Sequence, residues 1–210
     1  MRHLTLMITL CMLAPLARAS VVEYDVSVDT SQLTGAFGNI YLQFDGINDA
    51  QFATVSITDF ATTGTLEGLQ FSFGDVSGSL PGTLTIDNGA ALNQYSELLQ
   101  FGSSISFDVT FGGPAVTDPN GTSSSGSTFA LAFTGLNGVP LFTSDGVVGV
   151  INLNLDGSLQ PIAYSDITSF TAVAPEPGSL ALVIPGVLCL AAAAFCKRMR
   201  KSRPPLGRLV

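Results

Sequence analysis

Ile105-Ser106-Phe107-Asp108-Val109-Thr110-Phe111 alternates apolar and polar side chains without a break, and that alternation decides the fold class. Successive side chains of an extended chain point to opposite faces, so a period of two buries one face and wets the other. The same pattern runs through Val22–Asp29, Ile40–Asp45, Ala53–Thr58, Ser127–Phe133 and Ile151–Asp156. Between the runs stand Asp45-Gly46, Asn88-Gly89, Asn120-Gly121, Asn137-Gly138, Asp145-Gly146 and Asp156-Gly157, pairs that tolerate the positive φ of tight turns. Ala90–Leu99 alone has helical spacing, with Leu92, Tyr95 and Leu99 three and four apart. Gly112–Gly126 is so rich in turn formers that a surface loop without regular structure is predicted. With no helices to cover them, one-sided strands must pack on one another. The expectation is an all-β protein, an antiparallel β-sandwich or jelly roll.

Charge divides the chain of 210 residues into three parts. All eight Lys and Arg residues lie near the ends: Arg2 and Arg18, then Lys197, Arg198, Arg200, Lys201, Arg203 and Arg208. Of the 16 acidic residues only Glu176 lies outside Ser20–Ala174, so that body carries fifteen carboxylates and no Lys, Arg or His. Phosphate backbones bind through Lys and Arg that displace counterions, so nucleic acid is excluded as a partner of the body. The cysteines are Cys11, Cys189 and Cys196, all outside the body. The body therefore has no disulfide and no thiol chemistry, and its stability must come from packing.

The ends read as targeting segments. Met1-Arg2-His3, an apolar stretch from Leu4 to Leu13 and Ala17-Arg18-Ala19 follow the order of a signal peptide, with cleavage expected between Ala19 and Ser20. Leu180–Cys196 is a run of 17 residues without a charge. As a helix it reaches about 26 Å, short for a hydrocarbon core of about 30 Å but enough to be read as a C-terminal transmembrane helix. Lys197, Arg198, Arg200, Lys201 and Arg203 follow it as a membrane stop that stays cytoplasmic, which leaves the body outside.

Immediately before the span stands Val173-Ala174-Pro175-Glu176-Pro177-Gly178-Ser179. Pro175, Glu176 and Pro177, the apolar span and the basic cluster, taken in that order over 175–210, resemble the PEP-CTERM sorting domain. The resemblance implies recognition by an exosortase, a membrane-embedded cysteine peptidase of bacteria that commonly make extracellular polysaccharide. It further implies transfer to the cell surface or matrix. The extension Pro204–Val210 is longer than the short arginine-rich end of that family. The body also resembles a group of uncharacterised PEP-CTERM proteins in which a run like Gly74–Leu84 recurs, and that resemblance implies no activity. The domain plan is thus a signal peptide over 1–19, an acidic ectodomain over 20–174 and a sorting tail over 175–210.

Missing side chains limit the chemistry of the body. Without His, Cys, Lys or Arg there is no Ser-His-Asp or Cys-His unit, no His-ligated zinc and no phosphate clamp. Fifteen carboxylates will pair by accident in any fold, so their presence says little about glycoside hydrolysis. Asp29-Thr30-Ser31 has the start of an aspartic peptidase motif, but Ser31 stands where that motif needs glycine, and no second copy follows. Asp45-Gly46-Ile47-Asn48-Asp49 gathers oxygen ligands that suit Ca²⁺, although an ordinary hairpin turn uses the same residues. The chain has no Trp, and most Phe residues fall at inward strand positions, which favours core packing over a sugar platform. The resulting expectation is a non-enzymatic surface or matrix protein, structural or adhesive, with no cofactor and no catalytic residues. A polysaccharide- or calcium-binding module is the first alternative and a carboxylate glycosidase the second.

Overall fold

A computed structural model describes residues 23–46, 49–123 and 125–173. Twelve strands make two antiparallel six-stranded sheets. They are β1 (Glu23–Asp29), β2 (Phe37–Gly46), β3 (Thr54–Thr62), β4 (Thr65–Phe73), β5 (Val76–Gly78) and β6 (Leu84–Asp87), followed by β7 (Gln94–Gln100), β8 (Ser104–Gly112), β9 (Ser127–Gly135), β10 (Val147–Leu153), β11 (Leu159–Ala163) and β12 (Thr168–Val173). Sheet A has the order β12-β1-β8-β3-β6-β5 and sheet B the order β11-β10-β9-β2-β7-β4. The described residues are all-β and their sheets pack as a sandwich, as the alternation predicts. Among the described residues no helix is long and apolar enough to cross a membrane.

The alternating residues do what their period requires. Phe107, Val109 and Phe111 of β8, Val26 and Val28 of β1, and Val55 and Ile57 of β3 line the inner face of sheet A. Ile40, Leu42 and Phe44 of β2 with Phe129, Leu131 and Phe133 of β9 line that of sheet B. These side chains form one core. Phe44 meets Phe111 edge to face across the two sheets, with ring centroids 6.0 Å apart, and Phe101 meets Phe133 at 5.8 Å. Such pairs contribute beyond their buried area, about 0.5–1.5 kcal/mol each.

Three expectations are corrected. Residues 94–100 are a strand rather than a helix: β7 is paired to β2 on one side and β4 on the other, with Tyr95, Glu97 and Leu99 facing inward. A charged residue at the middle inward position hides the period of two, while Leu92, which completed the helical spacing, lies exposed outside the strand. The last alternating run is shifted, since β10 ends at Leu153 and Asn154 to Ser158 form a turn with Gly157 at φ +77°. The segment 112–126 contains one regular element, the single helical turn α1 (Pro114–Thr117), which buries Ala115 and Val116.

Two glycines permit a close crossing at one end of the sandwich. Gly64, in the β3–β4 turn, and Gly102, between β7 and β8, lie back to back. A Cβ on Gly102 would collide with the backbone of Thr63 and Gly64, and one on Gly64 with the Gln100 carbonyl. The crossing is tied by Thr63, whose Oγ1 accepts the N–H groups of Ser103 at 2.7 Å and Ser104 at 3.0 Å. At the other end Asn88 joins the sheets. Its amide donates to Ser127 Oγ at 2.8 Å and Gln51 O at 2.9 Å, and its Oδ1 accepts the Ala53 N–H at 2.9 Å. The Asn88-Gly89 pair therefore does more than make a turn.

Candidate functional site

The outer faces of the two sheets differ in chemistry. On sheet A, β1 sets Asp25 directly opposite Asp108 of β8, with Thr171 and Thr58 completing that row across the sheet. Glu23 lies two residues along the same face, and Asp59 sits in a bulge of β3 at φ +51°. Burial first, then the charges of Asp25, Asp59 and Glu23, raise the Asp108 carboxyl above the ordinary carboxylate range. Like charges directly opposed across strands are destabilising. Because the folded state binds this proton more tightly than the unfolded chain, the penalty is full above the raised value and lifts as pH falls through it. Asp25→Asn should therefore stabilise the protein at pH 7 by up to about 1 kcal/mol. It should also flatten the gain in stability on acidification, and urea unfolding at pH 7 and pH 4.5 measures both.

The outer face of sheet B is uncharged over its central rows. Phe71 of β4, Ser96 of β7, Tyr41 of β2 and Ala132 of β9 make one row; Phe73, Gln94, Gln43 and Ala130 make the next; Gly68, Leu98, Asn39 and Thr134 flank the first on its other side. Phe71 is 40% and Phe73 57% exposed. The Tyr41 and Phe71 rings, on strands that flank β7, lean together over Ser96 with centroids 5.9 Å apart. Only a small side chain fits beneath them, and Ser96 is fully buried. The Ser96 hydroxyl and the Asn39 carbonyl oxygen are buried here without a hydrogen-bond partner. Gln94 donates to Gln43 at 3.5 Å, and Gln43 donates to Asp45 at the end of the face.

This face was not legible as a site. β4 is not among the alternating runs read from the sequence; it is an edge strand whose register shifts twice, between Leu66 and Gly68 and between Leu69 and Phe71. The two shifts cancel in the alternation, so Phe71 and Phe73 face outward while Leu66 packs against the core. Phe37 and Phe52 are exposed as well, whereas Phe44, Phe60, Phe101, Phe107, Phe111, Phe129 and Phe133 are core. The expectation that most phenylalanines pack inward thus holds among the described residues, and these four are the exposed minority.

Of the other candidates, Asp29 accepts the Ser31 N–H at 2.9 Å, and its carboxyl is lowered by the hydroxyl and N–H of Ser31. Thr30 is buried and donates to the Gly102 carbonyl at 2.8 Å. This triplet shapes a turn. In the proposed calcium turn, Asp45 is occupied by the Asn93 N–H at 2.8 Å and the Gln43 amide, while Asp49 adopts φ +73°. Ile47 and Asn48 lie outside the described residues. Among the described residues no three His, Cys, Asp or Glu side chains are grouped to hold a metal. A cavity bordered by Gln51, Ala115, Ser127 and Leu153 measures about 10 Å³, room for one water. The expected cleavage site Ala19/Ser20, the expected sorting motif Pro175, Glu176 and Pro177, the expected span 180–196 and the basic residues Lys197, Arg198, Arg200, Lys201 and Arg203 all lie outside the described residues. In comparisons with family models, with curated proteins and with solved structures, nothing matches this chain.

Proposed function

We propose that this is an exported protein, sorted to the cell surface or extracellular matrix by its PEP-CTERM-like tail, whose β-sandwich acts there as a non-enzymatic adhesive module. The observation that carries the reading is the segregation of side chains along the chain: every fixed cation lies in the end segments, and none of His, Cys, Lys or Arg occurs between Ser20 and Ala174. The ends then supply address and membrane contact through the span 180–196, with an exosortase-type peptidase as partner. The body is left with carboxylates, hydroxyls, amides and aromatic rings, the equipment of binding rather than of nucleophilic catalysis. Nested pairing of β1 with β8, β2 with β7 and β3 with β6 supports the jelly-roll form of the sandwich.

Replacing Pro175, Glu176 and Pro177 together with alanine should leave export intact and abolish surface release, because the motif is read after translocation. Cell fractionation with immunoblotting measures this. Unchanged release would reduce the tail to a plain membrane anchor.

A further inference from the structure

We infer that the outer face of sheet B binds a neutral polysaccharide, with sugar rings laid along the seam formed by Tyr41, Phe71 and Phe73. The inference rests on the reading of the body as a binding module and specifies its ligand.

Two observations on this face converge. Two aromatic rings meet across β7, and a third is 57% exposed one row away. Aromatic faces offer broad apolar area at low conformational cost, which suits the C–H faces of a pyranose. Amides flank the rings, with Gln43 and Gln94 in the row of Phe73, and an amide both donates and accepts as a sugar hydroxyl does.

Charge selects among polysaccharides. The body carries fifteen carboxylates and no cation, so an anionic glycan is repelled at long range, whereas a neutral one is not. The same field opposes a second copy of this chain as the occupant, even though β4 is an edge strand. Sheet A, with Asp25 and Asp108 opposed, lacks both the rings and the neutrality.

The full-length protein in mild detergent would be titrated calorimetrically with hydroxyethyl cellulose and dextran as neutral probes and alginate as the anionic one. Binding to a neutral probe and none to alginate is expected. Phe71→Ala and Phe73→Ala should each weaken that binding about tenfold or more, the loss of an aromatic anchor. Both residues stand outside the core, so circular dichroism should be unchanged. Phe52→Ala, an exposed ring elsewhere, should bind as wild type. Binding to neither neutral probe, equal binding to alginate, or equal loss in Phe52→Ala would overturn the inference. So would sedimentation showing that Phe71→Ala dissolves a dimer while glycan binding stays the same. Shortening of the probe during the titration would instead overturn the non-enzymatic reading while leaving the site in place.

Discussion

Tyr95→Phe is expected to destabilise the protein by about 3–5 kcal/mol at neutral pH, although it removes a single oxygen. Tyr95 and Glu97 stand side by side on the inner face of β7, 0% and 4% exposed. The Tyr95 hydroxyl donates to Glu97 Oε2 and accepts the N–H of Leu80 at 3.1 Å. Its loss leaves a buried carboxyl group and a buried amide without their partner, and water does not replace it in a packed core. The variant Tyr95→Phe/Glu97→Gln should recover part of the loss, since no acidic group is then stranded. Equal stability of the single and double variants would show that Leu80 carries the effect.

The same hydroxyl predicts an alkaline limit. Burial above all, then the bond to Glu97, holds the Tyr95 phenol well above its ordinary value of 10.0. Above that pH the unfolded chain ionises while the folded protein keeps its proton, so stability falls as pH rises. Burial shifts Tyr24 the same way. Tyr95→Phe should therefore reduce the slope of unfolding free energy against pH above 10 without removing it.

Gly102→Ala should cost about 3 kcal/mol or more, at the upper end for overpacking, because the new methyl group meets the backbone of Thr63 and Gly64 as well as the Thr63 hydroxyl that ties the crossing. To admit it, the β3–β4 turn must lift from the β7–β8 connection, which breaks the bonds from Ser103 and Ser104 to Thr63. Gly64→Ala should behave alike. Combining the two should cost less than the sum, since one displacement accommodates both methyl groups. Urea unfolding of the three variants checks the size and the coupling. Strict additivity would mean that the glycines act separately.

The strands that were legible are those whose sequence carries the whole pattern. In β8 every inward residue is apolar, in β9 all but Ser127 at its start are, and each strand lies between two partners in its sheet. The pattern fails where a strand's surroundings are unusual. Glu97 at an inward position disguised β7, and in β4 the apolar residues fall on both faces, Leu66 inward and Phe71 and Phe73 outward, so no alternating run marks it. Neither effect is local, since Glu97 is tolerable only because the hydroxyl of Tyr95 is buried beside it. The candidate face was illegible for the same reason. Tyr41, Ser96 and Phe71 are far apart in sequence and become neighbours only through the pairing of β2, β7 and β4.

The pairing of β12 with β1 sets a schedule for folding. Glu23 of the first strand lies opposite Val173 of the last, and β8, the other neighbour of β1, also comes late in the chain. Contacts between such distant segments form slowly, because the loop between them must first be closed. A chain threaded through a membrane from its N-terminus would deliver β1 long before either neighbour, with its hydrogen-bonding edges bare. Sheet A can be completed only when residues 168–173 have emerged, so, on the proposed function, the fold would close at about the moment residues 175–177, the proposed sorting motif, become accessible. Maturation of the body and reading of its address would then be timed by the same strand.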